Sequence, residues 1–125
     1  MGATFSLTTG VVAPCASFYN LQSKRSKNVA LPSQVDWEAQ GATTPVVNEN
    51  VAPNGYGACW AFAAVAALES AEKISNGKLI KLSEQQIVDC SGGGTCTGGG
   101  DVNPAWQWLQ SSGSAVCTEQ SYPYT

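Results

Sequence analysis

The passage NGYGACWAF, residues 54–62, constrains this chain more than any other. The stretch NENVAPNGYG ahead of Cys59 is so rich in Asn, Pro and Gly that it reads as a loop. From Cys59 to about Ser75 the residues are strong helix formers, with Trp60, Ala63, Ala64, Ala67, Leu68 and Ala71 recurring at helical spacing. Apolar residues cover most of the circumference, a pattern that requires burial on most sides. Asn76-Gly77 supplies the stop. Any fold for this chain has to be assembled around that helix.

Two shorter helices follow. Ser83-Glu84-Gln85-Gln86 reads as a capping box, in which the Ser83 hydroxyl and the Gln86 side chain serve each other's backbone amides, and the helix runs to about Cys90. The glycine-rich SGGGTCTGGGD permits positive φ and close approach of another chain. Asn103-Pro104 then caps and starts a third helix, AWQWLQSS, ended by Gly113. The tail SAVCTEQSYPYT reads as a turn and an extended piece. Ahead of all this, LPSQVDWEAQGATTPVVN alternates turn residues with β-prone pieces around Trp37 and Val46-Val47, so folded structure is expected to begin at Leu31. Residues 1–30 lack helical periodicity and end in the basic cluster Ser23-Lys24-Arg25-Ser26-Lys27, a protease-accessible kind of sequence.

At 125 residues and 43% hydrophobic, one ordinary domain with a modest core is expected. A net charge of −3 without a basic run gives no electrostatic case for nucleic acid. Ala61 to Ala67 is too short to span a bilayer and runs into Glu69 and Glu72, so no membrane partner is expected either. The start MGATFSLTTGVVAPCAS has no basic stretch ahead of an apolar core, so any secretory leader is expected to be absent from this chain. Five cysteines, at 15, 59, 90, 96 and 117, suffice for two bridges and one thiol, which favours an oxidising compartment. Cys90 and Cys96 have no neighbouring histidine or second pair, which is poor zinc spacing, and no metal is expected.

By position alone Cys59 admits three readings: a buried core thiol, half of a disulfide, or a nucleophile. A helix N-terminus favours the thiolate, because unpaired amides and the helix dipole stabilise the anion. The same amides can hold an oxyanion beside the sulfur, and Gly57 would let a substrate backbone come close.

Gly57-Ala58-Cys59-Trp60 matches the C-G-[SA]-C-[WY] signature of papain and cathepsin nucleophiles at all but its first position. In the same order follow further blocks that resemble papain-family cysteine proteases. LPSQVDWEAQGATTPVVN resembles the mature N-terminus, LSEQQIVDC the second helix, CTGG the substrate-binding glycines, and SYPYT the Tyr-Pro-Tyr segment. The resemblance implies an α+β papain-like fold, of which residues 31–125 supply the mainly helical N-terminal lobe while the β-rich second lobe is absent. Residues 1–30 are then a propeptide remnant or linker. It further implies that Cys59 attacks a peptide carbonyl, that Trp60 packs beneath the site, and that Gly98 and Gly99 bind the substrate backbone. Cys90, Cys96 and Cys117 are read as structural cysteines. Polypeptides are the implied substrates, protein inhibitors or a missing lobe the implied partners, no cofactor is implied, and the location is secreted or lysosomal/vacuolar.

Three departures qualify the resemblance. The chain contains no histidine, whereas a papain-type thiolate needs an imidazole to take its proton and later protonate the leaving amine. In the family that histidine and an asparagine lie roughly 130–150 residues past the nucleophile, so they are expected beyond Thr125. By the resemblance Glu49 stands at the oxyanion-hole position usually held by Gln, and as a carboxylate it would repel an oxyanion. Tyr56 replaces the first cysteine of the signature, which leaves Cys96 without its usual partner; the family partner of Cys90 falls outside the chain. A noncatalytic papain-like binding or decoy protein is therefore a competing reading. A single lobe should also expose an apolar face that self-associates or docks the missing lobe.

Overall fold

The computed structural model describes residues 15–17, 30–51, 57–111 and 115–125. Its centre is α1 (Cys59–Asn76), against which α2 (Glu84–Cys90) and α3 (Val102–Gln110) pack. Strand β1 (Cys15–Ser17) pairs antiparallel with β4 (Ala115–Cys117), Ala16 opposite Val116. Strands β2 (Gly94–Thr95) and β3 (Gly99–Gly100) form a second antiparallel pair between α2 and α3. Trp60, Ala61, Ala64, Val65 and Leu68 of α1 meet Leu82, Ile87, Ala105, Leu109 and Val116 in one core. This is the helix-rich α+β arrangement expected from the sequence.

Helix α1 starts and stops where its residues dictate. Gly77 closes it in the left-handed conformation at φ 76°, its amide bonded 2.9 Å to the Lys73 carbonyl. The burial of α1 is narrower than its composition implies. Ala63, Ala66 and Ala67 are exposed, while Glu69 and Glu72 are buried. Alanine at an exposed helix position reflects propensity as well as packing, so an all-round apolar helix here is half covered. Val46 and Val47, expected in a β-prone piece, lie exposed in a loop, and Trp37 sits in a turn closed by the Ala42 amide on the Trp37 carbonyl.

The capping box forms by half. Ser83 Oγ accepts from the Gln86 amide at 3.0 Å, but Gln86 turns its side chain to β4, donating to the Ala115 carbonyl at 3.0 Å and accepting from the Cys117 amide at 2.7 Å. The Ser83 amide instead bonds the Cys117 carbonyl. Gln86 thus serves as a strand neighbour for β4, a tertiary demand that outweighs the local box. Helix α3 begins two residues earlier than the Asn-Pro signal suggests. Asp101 is its cap, accepting from the Asn103 amide at 2.8 Å, and Pro104 falls inside the first turn where its missing donor costs nothing. It ends at Gln110; Gly113, like Tyr56 and the basic cluster at 23–27, lies outside the described residues.

Candidate active site

The site is built where the loop from 57 enters α1. Cys59 is the first residue of the helix, exposed, and a free thiol. Among the described residues it is therefore neither buried in the core nor part of a disulfide. Among the described residues no side chain caps this helix start and no acidic residue occupies its first turn; the Ala61 and Phe62 amides bond the Ala58 carbonyl, which leaves those of Cys59 and Trp60 to serve a charge at or beside the sulfur.

Trp60 points the other way and is buried against the glycine hairpin. A Cβ on Gly93 would lie 2.5 Å from its ring, and one on Gly100 2.7 Å. Glycine at 94 and 100 is equally forced by strand against strand, since a Cβ on Gly94 would meet the Gly99 carbonyl oxygen at 2.3 Å. The glycine run is therefore a close-packed platform for Trp60. Gly57 is pressed onto the same hairpin: a Cβ there would lie 2.8 Å from both the Cys96 carbonyl oxygen and the Gly99 amide nitrogen. The structure thus draws Gly57, Cys59, Trp60, Cys96 and Gly99 around one hairpin, with Gly98 at its turn, its amide bonded to Thr95 Oγ1 at 2.8 Å.

Glu49 begins a short 3-10 turn, Glu49–Val51, and its Oε2 is buried without a hydrogen-bond partner among the described residues. Its carboxylate acts on Tyr124, whose hydroxyl is pushed above its ordinary value by burial first and then by the negative charge of Cys96, Glu49 and Glu84. Tyr124 packs edge-on to Phe62 of α1 with ring centroids 4.9 Å apart. The Tyr-Pro-Tyr segment therefore buttresses the first turn of α1, a contact that sequence spacing does not reveal.

Among the cysteines, Cys90 is an exposed thiol at the end of α2 and Cys96 a half-buried thiol in the hairpin turn, while Cys117 is disulfide-bonded. The sequence count allowed two bridges and one thiol; the described residues hold three thiols. No group of His, Cys, Asp and Glu able to hold a metal ion occurs among the described residues. Nor is any described helix long and apolar enough to cross a membrane.

A second set of polar groups escaped the sequence reading. Glu69 is buried in α1, yet its carboxylate accepts from the Leu82 amide at 2.7 Å, from Thr44 Oγ1 and from Lys81 Nζ at 3.4 Å. Lys81 also pairs with buried Glu84. The only signal was a pair of glutamates, 69 and 72, interrupting an apolar helix.

The papain family cysteine protease profile matches residues 31–125. The chain belongs to the papain family of cysteine proteases. It is 45% identical over 94 residues to Zingipain-2 of Zingiber officinale, covering 75% of this chain and 40% of that protein. It is 42% identical to the Senescence-specific cysteine protease SAG12 of Arabidopsis thaliana, over 95% of this chain and 35% of the relative. Among solved structures it resembles the bromelain protease from Ananas comosus in complex with the E64 inhibitor, at 43% identity and TM-score 0.66, covering 76% of this chain and 41% of that one. The chain thus spans well under half the length of these relatives, and what it carries is the helix-rich N-terminal portion of the papain-like fold.

Proposed function

We propose that this chain is the nucleophile-bearing part of a papain-like cysteine endopeptidase. The observation that carries this reading is the exposed Cys59 thiol at a helix start without a side-chain cap among the described residues, between Gly57 and Trp60, both of which pack on the glycine hairpin. In the reaction the Cys59 thiolate attacks a peptide carbonyl carbon and a C–S bond forms. An imidazolium protonates the leaving amine as the C–N bond breaks, and water then hydrolyses the thioester. The imidazole is contributed by sequence that the relatives carry outside the matched stretch, since this chain has no histidine. Gly98 and Gly99 present backbone to an extended polypeptide substrate, and residues 1–30 are a propeptide remnant or linker. The disulfide at Cys117 supports a secreted or lysosomal/vacuolar location.

Fusing this chain to the portion of Zingipain-2 outside the matched residues tests the reading. Casein should be cut, and Cys59→Ala should abolish cutting by at least about a thousandfold, as loss of a covalent nucleophile does. A folded fusion that leaves casein intact, or one indifferent to Cys59→Ala, refutes it. The noncatalytic reading draws on Glu49, whose buried oxygen has no partner among the described residues and which, as an acceptor, would not serve an oxyanion as the family's Gln does. Recovery of cutting by Glu49→Gln in an otherwise inactive fusion would favour that reading.

A further inference from the structure

Strand β4 carries a covalent bond in which the candidate active site has no part. Of the five cysteines in the chain, Cys59, Cys90 and Cys96 are free thiols and Cys117 is disulfide-bonded. Cys117 is buried beside Val116 at the edge of the core, so a partner has to reach it from an element packed on β4. The strand paired with β4 is β1, whose register sets Cys15 opposite Cys117.

The pairing is also of the kind that a bridge requires. The Cys117 amide donates to Gln86 Oε1 at 2.7 Å, and its carbonyl accepts from the Ser83 amide at 2.9 Å. In an antiparallel ladder the N–H and C=O of one residue point to the same edge, so Cys117 faces Cys15 as a non-hydrogen-bonded pair and the ladder bonds fall to Val116 and Ala16. Such pairs bring their Cα atoms to about 4.5 Å, within the span of a disulfide. A three-residue ladder between segments so distant in sequence is too short to hold by itself.

We infer that Cys15 and Cys117 form a disulfide that fastens the N-terminal segment to the folded body, so that a cut in the basic cluster Ser23-Lys24-Arg25-Ser26-Lys27 yields two chains joined by that bond. Reduction, and not cleavage, then releases the shorter chain. As the S–S bond forms, the two thiols give up two protons and two electrons, which a disulfide oxidant such as oxidised glutathione takes up by exchange. The cut adds one water across a peptide bond and leaves the S–S bond intact. Nothing in this depends on catalysis at Cys59.

Disulfide mapping of the folded chain, alkylated with iodoacetamide and digested without reductant by trypsin and Asp-N, tests the bond. Cutting before Asp101 separates Cys117 from Cys90 and Cys96. The peptide that holds Cys15 and ends at Lys24 should emerge linked to the one that begins at Asp101. Alkylated Cys15, or Cys117 linked to any other cysteine, overturns the proposal. Brief trypsin treatment of the native chain tests the consequence. The peptide holding Cys15 should stay with the body until reductant is added, and in Cys15→Ser, checked for folding by far-UV circular dichroism, it should be lost at once. Release from the wild-type chain without reductant, or a cluster that trypsin leaves uncut in the folded chain, overturns the two-chain product. Both readouts should be the same in Cys59→Ala, so they stand or fall apart from the peptidase reading.

Discussion

The two long faces of α1 follow opposite rules. Toward α2 and α3, Ala61, Ala64, Val65 and Leu68 are fully buried against apolar side chains, and stability comes from area removed from water. Toward the groove, small exposed alanines flank buried glutamates, and the polar groups are satisfied one by one by Thr44, Lys81 and the Leu82 amide. The first face is finished within this chain, whereas the second is an open wall with charged groups beneath it. A single helix thus carries both a core face and an exposed groove face, and the composition of its residues does not distinguish the two.

The sharpest way to break this comparison is to truncate each face in turn. Leu68→Ala should cost about 2–5 kcal/mol, because a fully buried leucine leaves a cavity in the completed core. Ala66→Ser on the groove face should stay within about 0.5 kcal/mol. Urea denaturation of the two variants measures both, and equal losses would dissolve the distinction.

Next in size is the hairpin that carries Trp60. Gly94→Ala forces a Cβ onto the Gly99 carbonyl, and overpacking of this kind costs about 1–3 kcal/mol. A shift of tryptophan fluorescence should accompany the loss if Trp60 depends on this platform.

Ser83→Ala removes the cap of α2, worth about 1 kcal/mol. It also deletes the hydroxyl's 2.6 Å bond to the Tyr122 carbonyl, so the cost should exceed that of an isolated cap and loosen the Tyr-Pro-Tyr segment. Amide hydrogen exchange of 122–125 would show this; unchanged exchange would detach that segment from α2.

The smallest expected effect is a dependence on pH that belongs to the charged side. Glu119 is raised above the ordinary carboxylate range by burial first and by the Glu84 carboxylate, against the lowering pull of the Tyr124 amide and Lys81. Glu72 is raised by burial, opposed by its hydrogen bond from Asn76 and by Lys78. With folded values above the unfolded ones, the folded state holds these protons longer. Their contribution is complete below the ordinary carboxylate value and is lost as pH rises through the raised values. The urea midpoint should therefore fall as pH rises above the ordinary carboxylate value, and Glu119→Gln should flatten that fall.

Much of this was legible in the sequence. The loop-to-helix switch at Cys59, the Asn76-Gly77 stop and the glycine run declared themselves because each depends on local backbone preference. The reach of Gln86 to β4 and the displaced start of α3 at Asp101 did not, since both are settled by partners distant in sequence or by a competing cap two residues away. Val46 and Val47 misled for the opposite reason: β-branched residues suit a strand, but here they lie in an exposed loop beside a groove. At the site, Cys59 and Trp60 could be read from their signature, whereas the contact of Tyr124 with Phe62 spans 62 residues of chain and has no local mark.

If the start of α1 activates Cys59 as a nucleophile, the exposed thiols Cys59 and Cys90 should differ in reactivity. Competitive iodoacetamide labelling of the native chain between pH 5 and 9, read by peptide mass spectrometry, compares it with Cys90, the exposed thiol at the end of α2. Cys59 should label at least about tenfold faster than Cys90 at pH 6. Equal labelling of the two thiols would contradict an activated Cys59.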